Sequence, residues 1–166
     1  MNPTQYRRLH PTKEGKRIYR FITTSVISSK LYGRMSRHPN VIFTDKDGKR
    51  WAEIRAGFIY IAVGYAWNGS SPKRYVGYPP FGMWLGTPDF YGTRKASLVH
   101  DVLYQFAEVG EYSFEDANYQ FLKLMEDAQF PFAQQYYEAV EIFGGKFWGK
   151  DKSGVKAIYN IHHENI

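Results

Sequence analysis

The chain divides at its middle into two hydrophobic rhythms. Residues 17–24 alternate apolar and polar side chains and are rich in β-branched and aromatic types, the period of a half-buried strand. Segments 41–44 and 51–55 have the same character and flank Asp45-Lys46-Asp47-Gly48, whose Asp-Gly pair predicts a hairpin turn. Residues 58–63 form the most apolar strand, and 65–67 are expected to extend it beyond Gly64. From residue 93 the period lengthens to that of a helix. One helix is expected from Thr93 towards Gly110, with Leu98, Val99, Val102, Leu103 and Phe106 apolar. A second starts at Ser113 and carries Phe114, Ala117, Phe121, Leu124 and Met125, and a third opens around Pro131 and is stopped by Gly144-Gly145.

Between the two halves lies a long segment dense in glycine and proline, residues 68–92. Its composition describes a steered loop, and loops of this length often carry function. The expectation is therefore an α+β fold in one domain, 1–166: a β-rich part of antiparallel hairpins (1–67), the long loop (68–92), a three-helix part (93–149) and a polar tail (150–166) with one apolar patch at 155–159.

Composition narrows the classes. The 166 residues are 43% hydrophobic and 18% aromatic, enough for a packed core and against wholesale disorder. The absence of cysteine excludes disulfide scaffolds, thiolate zinc sites and thiol nucleophiles. No apolar run approaches the roughly 18 residues of a membrane span, and the first residues lack the apolar core of a signal peptide. The net charge of +6 is scattered, densest from Arg7 to Arg20. It reads as solvated surface with a mild attraction for anionic lipid; no nucleic-acid module accompanies it. Asp45-x-Asp47-Gly48 brushes against a calcium loop but lacks its later ligands, so the turn reading holds.

The chemistry concentrates in Leu98-Val99-His100-Asp101-Val102-Leu103-Tyr104. On a helix His100 and Tyr104 share a face, while Asp101 is turned about 100° from His100. Asp116 opens the next helix, and an antiparallel pair could bring its carboxylate beside His100 to fix the imidazole tautomer and raise its basicity. The plainer alternatives stand beside this: a core histidine, a core tyrosine, and Asp116 as the acidic partner of Ser113 in a capping box. An Asp101 in apolar surroundings needs a partner or a metal. A metal phosphohydrolase built on the His-Asp pair would need an upstream histidine, and His10 and His38 fall in the β half.

Four segments together resemble a phage and prophage domain family of unassigned function. They are the loop ending in Thr87-Pro88-Asp89-Phe90, the helix from Ala96 to Tyr104, the Glu115-Asp116-Ala117-Asn118-Tyr119-Gln120-Phe121 helix and the Ile142-Phe143-Gly144-Gly145-Lys146-Phe147-Trp148 stop. The Thr-Asp-Gly-Ala-Ser-x-Pro type segment of that family is matched by 66–72, with its acidic position falling near Trp67 or Asn68. The resemblance implies a virion component or a host-interaction protein, acting in the phage particle or the host cytoplasm, with other virion proteins or a host protein as partners. The same helix pair is similar to the phospholipase A2 signature His-Asp-x-x-Tyr. That similarity implies the alternative of a calcium-dependent hydrolase of lipid acyl esters. His100 would activate water, with Tyr104 and Asp116 behind it, and Asp101 would bind calcium beside the loop residues Asn68, Gly69 and Ser70. This loop has no Gly-x-Gly and lies about thirty residues before His100, farther than that family would lead one to expect.

Overall fold

The computed structural model describes residues 3–9, 19, 21–69, 74–76, 83–85, 90–149 and 155–159. Its N-terminal half is antiparallel sheet and its C-terminal half is three helices, so the chain is α+β as expected.

The strands are β1 (Tyr6–Arg8), β2 (Phe21–Thr23), β3 (Ile27–Lys30), β4 (Val41–Thr44), β5 (Arg50–Arg55), β6 (Phe58–Ile61), β7 (Ala66–Trp67), β8 (Arg74–Val76), β9 (Met83–Leu85) and, near the end of the chain, β10 (Lys156–Tyr159). The helices are α1 (Arg94–Gln105), α2 (Phe114–Asp127) and α3 (Ala133–Phe143). The main sheet has five strands in the order β10-β4-β5-β6-β3. Its register pairs Ala52 with Ile61 and Ile54 with Ile59, and these side chains share the buried face. That face packs on α1 and α2 through Leu98, Val102, Phe106, Phe121 and Met125. Phe43 stacks on Phe106 at 4.9 Å between centroids, a ring pair worth about 0.5–1.5 kcal/mol beyond its area burial.

The Asp-Gly hairpin joins β4 to β5 as the turn residues require. Asp45 accepts from the backbone N–H groups of Asp47 and Lys49, and its other oxygen accepts from the Trp51 indole. These bonds, that to the indole first, hold its carboxyl below the usual range. Asp45 is thus committed to the turn.

Three expectations need correction. Residues 65–67 do not prolong β6: the chain turns at Gly64, whose φ is +84°, and β7 pairs with β2 in a separate sheet ordered β1-β2-β7. Thr23 makes this corner, its hydroxyl donating to the Ala62 carbonyl and accepting from the Tyr65 N–H. The expected polar tail supplies β10, whose register with β4 makes it an edge of the main sheet. Its alternating pattern is half-buried, which a short patch in polar sequence conceals. The long loop is not wholly irregular, because 74–76 and 83–85 pair as a hairpin. The first part of the expected strand 17–24 lies outside the described residues apart from Tyr19.

A buried glutamine joins helix to sheet. Gln120, fully buried on α2, donates from Nε2 to the Lys30 carbonyl at 2.9 Å and accepts the Tyr32 N–H at 2.8 Å. It thereby satisfies the backbone where β3 ends. Gln120→Leu leaves both backbone groups without a partner and is expected to cost about 2–4 kcal/mol, read as a lower midpoint in urea unfolding.

Candidate functional site

The apolar stripes of α1 and α2 force the two helices together, and the polar side chains that ride on those stripes meet between them. His100 and Tyr104 lie one turn apart on α1, their rings 4.0 Å apart between centroids. Across from them, on α2, is Asn118, completely buried. Its Oδ1 lies 3.0 Å from His100 Nε2 and accepts the Tyr104 hydroxyl at 2.7 Å. Its Nδ2 donates to Glu141 Oε1 on α3 at 2.6 Å. The carboxylate only accepts, so the amide nitrogen must face Glu141 and the amide oxygen must face α1. His100 therefore donates from Nε2, which fixes its tautomer.

Burial pushes the His100 imidazole down to about 4, with the Asn118 bond opposing the shift. Burial, together with the charges of Glu141 and Asp101, holds the Tyr104 hydroxyl far above the ordinary phenol range, against the Asn118 bond. Both groups are neutral at pH 7. Gly144 supports the arrangement from α3's end: a Cβ there would collide with the Tyr104 hydroxyl.

Asp116 does not stand beside His100. It is the third residue of α2, where its backbone N–H binds the Ser113 hydroxyl and its carboxylate accepts from the Ser113 N–H, a complete capping box. The reason is angular. Asn118 lies three residues before Phe121 and one after Ala117, on the buried stripe, whereas Asp116 is about 140° from Phe121 around the helix. Asp116 instead lines an open cleft of about 820 Å³ that also includes Arg34, Arg37, His38, Glu108 and Glu111.

Asp101 does meet the loop. It lines a second cavity, of about 300 Å³, together with Asn68, Tyr104, Gln105, Tyr65 and Trp67. Asn68 follows β7 directly, so the departure of that strand from the main sheet carries it there. Gly69 is buried with φ at +77°, and Ser70 lies outside the described residues. Among the described residues no three His, Asp or Glu side chains form a metal-holding group. The oxygen-bearing side chains that line the cavity are one carboxylate (Asp101), two amides (Asn68 and Gln105) and three tyrosines, and a calcium ion there would need backbone carbonyls and water to complete six to eight oxygens.

Asn118 and Glu141 were not evident from the motif. The available signal was a carboxamide at an apolar-stripe position of α2, which demands a partner; Glu141 carries no such mark, because only the docking of α3 makes it one.

The His100 shift has a testable consequence. The folded chain refuses a proton that the unfolded chain takes up from about pH 6.5, so stability falls as pH drops from 6.5 towards 4, by about 3 kcal/mol in total. Urea unfolding at several pH values should show this loss in the wild type and a shallower pH dependence in His100→Gln, which has no proton to refuse.

The chain matches no family model, no curated protein and no solved structure, so its site is read from its own geometry.

Proposed function

We propose that this chain is a bacteriophage-encoded protein that acts by contact and not by catalysis, as a virion component or as a factor that binds a host protein. The observation that supports non-catalytic action is the burial of the polar network between the helices. His100 through Nε2 and Tyr104 through its hydroxyl both donate to one amide oxygen, that amide donates to Glu141, and burial leaves the imidazole, whose basic lone pair is on Nδ1, too weak a base to be well matched to work near neutrality. Such a network ties helices together. Contact has a surface to use: Phe90, Tyr91 and Phe132 are about half exposed, and Phe90 and Phe132 both pack on Phe130. Exposed ring clusters of this kind suit protein partners. The phage origin rests on the resemblance of the four segments from Thr87 to Trp148.

A second reading, the calcium-dependent hydrolase of lipid acyl esters, is favoured by one observation: Asn68, Asp101 and Tyr104, which the phospholipase A2 similarity associates, line one cavity. Asp101 and Asn68 would hold calcium in that cavity, where it would polarise the ester carbonyl, while His100, which is buried beside Tyr104 and does not line the cavity, would have to take the proton from water.

Incubation with anionic liposomes, with and without calcium, separates the readings. Fatty-acid release is expected to be the same for wild type and His100→Gln. Calcium-dependent release that disappears in the variant, with folding intact by thermal melt, would establish the hydrolase instead. Mass spectrometry of purified particles then divides the contact reading, since presence in the particle identifies a virion component and absence excludes one.

A further inference from the structure

We propose that His38 is a proton-dependent clamp on the larger cleft. Its imidazolium form ties the connection between α1 and α2 to the chain that enters β4, and loss of the proton frees that wall. The device is the same whether the chain acts by contact or as a hydrolase, because it lies apart from His100 and from the smaller cavity.

His38 stands between the short helical turn Gly33–Arg37 and β4. Its ring is half-buried beside Tyr112 and Tyr159, with centroids 5.8 Å and 6.1 Å away. Nδ1 lies 2.9 Å from the Pro39 carbonyl oxygen, and Nε2 lies 2.7 Å from that of Gly110. A carbonyl oxygen only accepts, so both ring nitrogens must donate. A neutral imidazole has one N–H and an imidazolium has two. In either neutral tautomer one nitrogen would aim its lone pair at a carbonyl oxygen, and the ring would have to turn away. The observed geometry therefore belongs to the cation.

The bond to Gly110 matters because that residue is buried and its carbonyl needs a donor. Two other side chains hold the same stretch of backbone. The Tyr112 hydroxyl donates to the Leu103 carbonyl at 2.8 Å, and the Tyr159 hydroxyl to that of Val109 at 2.7 Å. Burial holds the Tyr112 hydroxyl well above the ordinary phenol range and pushes that of Tyr159 up to about 12, so both bonds persist through neutral pH. Of the three, only the histidine gains and loses a donor there. Glu111, next to Gly110, has φ at +49°, a conformation that a residue with a side chain keeps only where its neighbours enforce it. Freeing the Gly110 carbonyl removes one of those constraints. Glu108, Val109, Glu111 and Tyr112 line the cleft, so movement of this connection changes its shape. The charges around the ring partly cancel: Arg34 and Arg37 disfavour a cation, whereas Glu108, Glu111 and Asp116 favour one. Lys156 of β10 is on the opposite face of that strand from Tyr159. The directed hydrogen bonds are left to decide.

The test follows backbone hydrogen exchange in the full chain at about pH 6 and about pH 8, corrected for the intrinsic effect of pH on exchange. Amides of residues 107–113 are compared with those of β2, which report on the fold as a whole. The sign separates the two histidines, because His100 weakens the whole fold as pH falls while His38 tightens this connection. Relative to β2, exchange of the connection is expected to be about fivefold faster at the higher pH, the equivalent of one net hydrogen bond. His38→Gln, neutral at both pH values, and His38→Arg, a cation with several donors at both, are each expected to lose the difference. Nitrogen-15 spectra of the His38 ring at the lower pH are expected to show two N–H groups slowed in their exchange with water. The proposal is overturned if the wild-type connection exchanges equally at both pH values, if either variant keeps the difference, or if either ring N–H is as open to water as in free histidine.

Discussion

The Asn118 carboxamide accepts hydrogen bonds from His100 and Tyr104 on α1 and gives one to Glu141 on α3, so a single side chain of α2 fixes all three helices against one another. Its position is inflexible, because His100 and Tyr104 would each be left with a buried, unpaired polar group if it moved. The consequences spread outwards. The imidazole is held in one tautomer and kept neutral, the Tyr104 ring is held at the wall of the cavity, and Gly144 must stay without a side chain so that the tyrosine hydroxyl can reach the amide.

The helices are joined to the sheet by two kinds of contact. Apolar packing, such as Phe43 on Phe106, supplies most of the free energy but tolerates some sliding. Gln120 removes that tolerance, because its two bonds to the backbone at the end of β3 have a fixed direction. Asn118 and Gln120 are two residues apart on the same helix and face different neighbours, so α2 is the element through which helices and sheet are registered together.

The small cavity follows from a change of sheet. Had β7 continued β6, Trp67 and Asn68 would have stayed in the main sheet. The turn at Gly64 and the Thr23 corner send them to β2, where Trp67 packs on Phe21 at 5.2 Å and faces the C-terminal half of α1. Asp101, turned away from His100 by the helical geometry, lines the space that results. The adjacent His and Asp of the motif thus serve different environments, one sealed between helices and one beside a cavity.

Much of the local structure was legible in the chain. The two hydrophobic periods separate strands from helices, Asp45 to Gly48 specifies its hairpin, and Ser113 with Asp116 specifies the start of α2, because each of these depends on residues within a few positions of one another. Legibility failed where the deciding partner is distant in sequence. The pairing of β10 with β4 and the departure of β7 rest on contacts that no local period announces. The same limit governs the site. By itself the sequence placed His100 and Tyr104 on one helical face and Asp101 off it, since 3.6 residues per turn allows nothing else. Only the tertiary structure decided that Asn118, and not Asp116, meets His100, because the rotation of α2 is set by which of its side chains the sheet and α1 bury.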